Sequence, residues 1–380
     1  MQEQTQWQDE FRLDNGLIYL NHAAVAPWPQ RTRNAVIRFA EENAYTGSES
    51  YPRWISVETR LRQGLARLIN APAAEDIALL KNTSEALSVV AYGLPWRAGD
   101  NIVISDQEFP SNRIVWESLA DKGVSVRRVD LSSADSPELA LMQACDRHTR
   151  LLSISWIQYA SGLRLHLEPL AEFCRSHDIL FCIDAIQGIG ALGFDVQACQ
   201  ADFVMADGHK WMLGPEGVAL FYVRPERREL LELKQFGWHM VERHGDFDAP
   251  DWQPAHSARR FECGSPNMLG VHALQVSIEL LLEVGMAEIQ KRVLENARYV
   301  MKQVQQSPQL RLISNPASER HAGIVTFAHT TADANALYRY LMSQRVMCAG
   351  RGGGVRFSPH FYTTHEQIDA ALSMAADFRG

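Results

Sequence analysis

The sequence predicts an α/β fold: a large domain on a mostly parallel sheet flanked by helices, followed by a smaller α+β C-terminal domain. Three observations predict it. Between Asn101 and Val223 short apolar runs alternate with longer amphipathic stretches, the pattern of a parallel sheet covered on both faces. From about Gly270 the texture changes to long helical periodicity and then to further strands. The 380 residues suffice for a large domain plus a smaller one.

Within the large domain, Ile102 to Ser105, Leu151 to Ser155, Ile179 to Asp184, Asp202 to Ala206 and Val218 to Val223 are the expected strands. Glu168 to Cys174 has helical spacing, with Pro169 suited to a helix start. Apolar residues three and four apart over Val271 to Val284 and Ala287 to Gln305 predict two long helices. Gly323 to Phe327 and Val355 to Ser358 read as strands, and a final helix follows from Glu366. The division expected is an N-terminal segment over 1–16, a large domain over 17–269 and a small domain over 270–380. Neither a repeat nor a linker interrupts it.

Hydrophobic content of 46% and charged content of 22% are those of a soluble globular protein. A net charge of −8 gives no reason to expect nucleic acid or an anionic membrane as partner. The start, Met1 to Gln6, lacks the basic and apolar regions of a secretory signal, and no apolar stretch approaches a membrane span. The six cysteines are scattered, with no C-x-x-C. Reduced thiols and a cytoplasmic location are the expectation.

Chemistry concentrates after two of the strands. Asp184 ends one apolar run, and Lys210, in Gly208-His209-Lys210-Trp211, follows the next. Ligands of an open parallel sheet sit beyond the carboxyl ends of its strands, so carboxylate and amine are expected in one crevice. Pyridoxal phosphate (PLP) requires that pair: its aldehyde forms a Schiff base with a Lys and its ring nitrogen pairs with an Asp. Either residue alone reads more simply, Lys210 as a surface cation and Asp184 as a cap or salt-bridge partner. Together they point to the cofactor. Gln187 is placed to donate to the cofactor's phenolate oxygen, and Gln158 or Tyr159, at another strand end, to its ring oxygen.

Asn82-Thr83-Ser84-Glu85 opens a helical stretch whose N-terminus suits a phosphate, although an ordinary capped helix explains it as well. Phe109 follows a strand and is placed to stack on a pyridine face or to pack under its loop. Arg356 is either a solvated strand residue or a bidentate partner for a substrate carboxylate. Gly350-Arg351-Gly352-Gly353-Gly354 before it reads as a mobile loop, a lid or a connector. Gly188 to Gly193 spells G-x-G-x-x-G after a strand. The next strand begins too soon for the helix a dinucleotide site needs. A turn is expected there, and a nicotinamide enzyme is a weak alternative.

Taken together, Tyr19-Leu20-Asn21-His22-Ala23-Ala24, Asp184, Gln187, His209, Lys210 and Arg356 to Thr364 resemble the class V aminotransferase and cysteine desulfurase group of fold-type I PLP enzymes, over nearly the whole chain. The resemblance implies that Thr83 and Ser84 meet the phosphate, that Phe109 stacks on the ring and that Arg356 holds the substrate carboxylate. It implies a homodimer with shared active sites, Gly264 and Ser265 reaching the phosphate in the partner's site. Asn21, His22 and the region of Tyr51 to Trp54 are expected to line the substrate pocket.

Three departures stand out. Desulfurases of this group carry a Ser where this chain has Asp207, whose carboxylate would repel a phosphate and is expected to orient His209 instead. They place a His at the position of Phe109, which resembles the kynureninase and epimerase branches. They also carry a persulfide-forming cysteine on a lid well upstream of the carboxylate-binding Arg. Here the nearest candidate is Cys348, whose simpler reading is a small packing residue at a strand end. The function expected is chemistry at the α-carbon of an amino acid, with Lys210 as base, Asp184 stabilising the ring and His209 beside them. An aminotransferase ranks first, a cysteine desulfurase or lyase second and an epimerase third.

Overall fold

The computed structural model describes residues 7–132 and 136–379, so the polar start at Met1 to Gln6 lies outside the described residues. A two-residue strand, β1 (Ile18–Tyr19), precedes helices α1 (Gln30–Thr46) and α2 (Tyr51–Leu68). Strand β2 (Ile77–Leu80) leads into α3 (Thr83–Gly93), capped by Asn82, whose side chain accepts the Glu85 N–H at 2.9 Å. Alternation then runs through β3 (Asn101–Ser105), α4 (Ser111–Glu117), β4 (Ser125–Val129), α5 (Pro137–Gln143), β5 (Thr149–Ser155) and α6 (Leu167–Ser176). It continues with β6 (Leu180–Asp184), the single turn α7 (Val196–Cys199), β7 (Phe203–Asp207) and β8 (Ala219–Val223).

These strands form one seven-stranded sheet in the order β2-β8-β7-β6-β5-β3-β4. The run from β7 to β4 is parallel, whereas β8 is antiparallel to both its neighbours. Alternate residues feed opposite cores. Val103, Leu152, Ile183 and Val204 pack on one face, and Ile102, Leu151, Cys182 and Phe203 on the other. Burial on both faces is why these strands read as unbroken apolar runs. Strand β4, Ser-Val-Arg-Arg-Val at the sheet's edge, is largely solvent-facing and lacks that signal. Neither it nor the short β2 is among the strands predicted from apolar runs.

The G-x-G-x-x-G stretch is a turn, as expected, and no helix opens on it. Gly190 has φ of 96°, and a Cβ there would stand 2.3 Å from the Trp211 carbonyl oxygen. Its glycines allow close packing.

Helix α8 (Met268–Val284) packs on α1 and α2 beside the large sheet. Gly64 permits the approach: a Cβ would lie 2.9 Å from Ile278 Cγ2. Helix α9 (Met286–Gln306) begins the remainder: β9 (Leu310–Leu312), β10 (Val325–His329), α10 (Ala334–Ser343), β11 (Val346–Met347), β12 (Ala349–Arg351), β13 (Gly354–Phe357) and α11 (His365–Asp377). A second sheet, antiparallel, has the order β12-β13-β10-β9, and β1 pairs with β11. Beside that pairing, Ser358 N–H donates to the Leu20 carbonyl at 2.7 Å, which brings the segment after β13 against the residues leading to Ala23. Among the described residues, no single helix is long and apolar enough to cross a membrane.

Candidate active site

Four strand ends deliver side chains to one cavity of about 280 Å³. Asp184 is the last residue of β6, and Asp207 the last of β7. Phe109 lies beyond β3 and Tyr159 beyond β5. Lys210 sits on the turn after β7, and Arg356 enters from β13 of the second sheet. Thr83, Ser84, Gln187 and His209 complete the set of expected residues that line the cavity.

The Lys210 turn is pinned residue by residue. Gly208 N–H donates to Val218 O at 3.0 Å, and its carbonyl accepts from Gly214 N–H at 2.9 Å. The His209 carbonyl accepts from Ala26 N–H at 2.8 Å, and that of Lys210 from Leu213 N–H at 3.0 Å. His360 Nε2 approaches the Trp211 carbonyl at 3.1 Å. The amine is thus held by backbone geometry rather than by its own flexible chain. Lys210 is 8% exposed. Burial lowers its proton affinity below the ordinary lysine range, with Asp184 opposing. Asp184 is 3% exposed; burial raises its pKa, against the Ile186 N–H that it accepts at 3.0 Å and the nearby Lys210. Amine and carboxylate share one enclosed space.

Gln187 is fixed in orientation. Its Oε1 accepts the Trp211 indole N–H at 3.0 Å and its Nε2 donates to Ala23 O at 3.0 Å. The second hydrogen of that amide nitrogen is left for the cavity it lines. Trp211→Phe removes the donor and leaves Gln187 Oε1 buried and unpaired. A stability loss of about 1–3 kcal/mol is expected, read from urea unfolding midpoints.

Phe109 stands where its ring centroid is 5.6 Å from Lys210 Nζ, with its ring set edge to face with Tyr159 at 5.2 Å. Its loop is anchored by Glu108, a buried carboxylate that accepts from Ser105 Oγ at 2.7 Å, Asn112 Nδ2 at 2.8 Å, Ser155 N at 3.0 Å and Gln158 Nε2 at 3.3 Å. That network turns Gln158 away from the cavity and leaves Tyr159 facing it. Thr83 Oγ1 accepts the Asp207 N–H at 3.1 Å, tying the start of α3 to the end of β7. Ser84 Oγ donates to Ser111 Oγ at 2.8 Å. The cavity therefore has a helix N-terminus with two hydroxyls at one end, as phosphate binding needs. Asp207 Oδ1 lies 2.9 Å from His209 Nδ1, near enough to attract the ring though without hydrogen-bond alignment.

Several expectations need correction. His22 does not line the cavity: it is fully buried, with Nδ1 2.8 Å from Ser358 O and Nε2 2.6 Å from Tyr362 Oη. Both ring nitrogens are engaged beneath the floor, so it has nothing to offer a substrate. Asn21 stands behind Arg356 instead, its Oδ1 3.5 Å from Nη2. Tyr51 and Trp54 belong to an aromatic cluster with Phe39 away from this cavity, and Arg53 pairs with Glu42. Gly264 and Ser265, expected to serve the partner's site and not this one, border a separate hollow beside Lys81 and Glu85, which leaves that expectation as it stands. Gly350 to Gly354 is a tight hairpin between β12 and β13, not a free loop. Lining residues that sequence reasoning did not single out are Ser111, Ile186 and Arg351.

Cys348 is 1% exposed, packed in the core of the second sheet with Phe327 and Phe357, and burial pushes its thiol up to about 12. A neutral, enclosed thiol is a poor nucleophile. Among the described residues, no cysteine lines the cavity. Cys348→Ser is expected to leave any release of sulfide from cysteine unchanged, measured as the steady-state rate.

A probable cysteine desulfurase of Methanothermobacter thermautotrophicus is 29% identical over 373 residues, covering 92% of each chain. A cysteine desulfurase of Salmonella dublin is 29% identical over 382 residues, 94% of this chain and 92% of that one. Among solved structures, the cystine C–S lyase C-DES in complex with its product cysteine persulfide superimposes with a TM-score of 0.91 at 22% identity, covering 97% of this chain and 99% of the other. That likeness shows the fold, fold-type I of the PLP enzymes. The family model described as aminotransferase class-V matches residues 18–371. The chain therefore belongs to the class-V aminotransferase family.

Proposed function

We propose that this protein is a PLP-dependent enzyme that removes a sulfur-bearing β-substituent from an amino acid without the help of a protein thiol. The observation that carries the reading is the enclosure of Lys210, Asp184 and Arg356 in one cavity from which every described cysteine is absent. The residues fit the cofactor. Lys210 is the amine for its aldehyde, Asp184 the carboxylate for its ring nitrogen, and Thr83 and Ser84 at the start of α3 the seat of its phosphate. Phe109 would stack on the ring, and Gln187 and Tyr159 would face its oxygen. When bound, PLP supplies an electron-withdrawing ring that acidifies the substrate's α-carbon.

The chain's own groups do the rest. Arg356, 2% exposed and held by its Nη1 bond to Tyr159 O at 2.7 Å, receives the α-carboxylate. Lys210 would take the α-proton on Nζ; its lowered proton affinity keeps more of it neutral than an exposed lysine would be. Asp184 would hold the proton of the ring nitrogen, whose positive charge would oppose the upward push of burial on the carboxyl. Asp207 lies against His209 beside the Lys210 turn. With cysteine, loss of the α-proton and of hydrosulfide, then addition of water, gives pyruvate, ammonia and hydrogen sulfide.

Transamination, the first expectation from the residues, uses the same groups and now ranks second, because the relatives are named cysteine desulfurases. A homodimer is part of the proposal, with Gly264 and Ser265 completing the partner's phosphate seat, as is a cytoplasmic location. The PLP-loaded protein is to be given L-cysteine or L-cystine with no keto acid. Pyruvate appearing with reduced sulfur supports elimination. A strict requirement for a keto acid acceptor points to transamination, and inertness toward every amino acid refutes both.

A further inference from the structure

Two guanidiniums, not one, line the cavity that holds Lys210. Arg356 is buried, and its Nε faces no acceptor. Arg351 is exposed, and its recorded hydrogen bond, from Nη1 to Gly350 O at 2.9 Å, is to its own neighbour in sequence. Among the described residues, neither side chain has a carboxylate at ion-pair distance, whereas Arg62 and Arg320, which border other hollows, each do.

The hairpin fixes their relation. Arg351 is paired with Gly354, and Ala349 with Arg356. Gly352 and Gly353 form the two-residue turn, with φ of 57° and 76°, the left-handed conformations that a type I′ hairpin turn demands. Paired residues share a face, as do residues two apart on a strand. Arg351 and Arg356 are therefore diagonal neighbours on one face of the hairpin, with backbones about 7–8 Å apart. Such like charges repel, and Arg351 contributes to lowering the proton affinity of Arg356, after burial. A ligand with one carboxylate satisfies only one of them.

We propose that Arg351 is a specificity-determining residue that binds a second anionic group, so that the site selects α-amino acids whose side chain ends in a carboxylate or sulfinate. This rests on the reading above that Arg356 holds the α-carboxylate. L-Cysteine sulfinate and L-cystine, whose far half carries a carboxylate, belong to that class; L-cysteine and L-alanine do not. The short hairpin brings Arg351 to the cavity mouth, where a longer connection would leave it free to swing away.

Binding, independent of turnover, tests the assignment. Succinate and propionate are titrated by calorimetry into the PLP-loaded protein, and kcat/KM is compared for L-cysteine sulfinate and L-cysteine. The wild type is expected to prefer succinate and the sulfinate by about 10- to 100-fold. Arg351→Gln should collapse both preferences toward unity, and Arg351→Lys should restore part of them. Equal affinity for succinate and propionate in the wild type, or a preference that survives Arg351→Gln, overturns the assignment, even with cysteine turned over normally. A retained succinate preference in a protein that converts no amino acid supports the anion subsite and removes the catalytic reading instead.

Discussion

Replacing Lys210 with alanine is expected to abolish the cofactor linkage and to lower turnover by about 10⁴-fold or more, at or beyond the top of what one positioned acid–base group contributes. The loss should be large because the proposal gives one amine two duties, anchoring the aldehyde and moving the α-proton. The protein should still fold, since the Lys210 turn is held by backbone bonds from Gly208, Leu213, Gly214 and Ala26 rather than by the amine. A retained PLP affinity through the phosphate seat, with the spectrum of a free aldehyde, is the expected signature. The pH dependence of linkage in the wild type follows from the direction of the shift. Burial holds the Lys210 pKa below its ordinary value, and only the neutral amine attacks an aldehyde. The linkage rate should therefore rise with pH and level off at an inflection below about 10.4, the value for an exposed lysine. An inflection at the ordinary value would show the amine to be solvated.

Asp184→Asn should be the second most damaging change, with kcat falling about 10²- to 10³-fold, the cost of removing one preorganised electrostatic group. The amide preserves volume and can still accept the Ile186 N–H, so folding should survive. What goes is the negative charge that keeps a ring nitrogen protonated. On the proposed reading that charge acts on the α-carbon through the ring and not on substrate binding, so kcat should drop while KM changes little. Loss of the charge should also lower the proton affinity of Lys210 further, since Asp184 is the largest influence raising it. The inflection in linkage rate should shift to lower pH in the Asn variant. A fall in KM-dependent binding alone would place Asp184 outside the reaction.

The residues that were legible in the sequence share a physical origin. Asp184, Asp207 and Lys210 sit at or just beyond ends of strands buried on both faces, where apolar runs mark the strand and the first polar residue marks the crevice. Position along the chain therefore indicates position in space. His22 misled because its neighbours Ala23 and Ala24 do line the cavity, while its ring turns into the floor toward Ser358 and Tyr362, contacts between distant segments that no local pattern encodes. Strand β4 was invisible because an edge strand facing solvent needs no apolar run. Arg351 lay within a glycine-rich stretch that reads as a loop; only the pairing of β12 with β13 brings it beside Arg356. Gln158 and Tyr159 are adjacent at one strand end, and only the contact with Glu108, which draws the Gln158 amide into the interior, leaves Tyr159 at the cavity.

Borohydride reduction of the PLP-loaded protein followed by peptide mass mapping tests the central claim most directly. A single pyridoxyl group on the peptide that contains Gly208-His209-Lys210-Trp211, located at Lys210, is the predicted result. Incorporation at any other lysine, or none in a protein saturated with the cofactor, would contradict it.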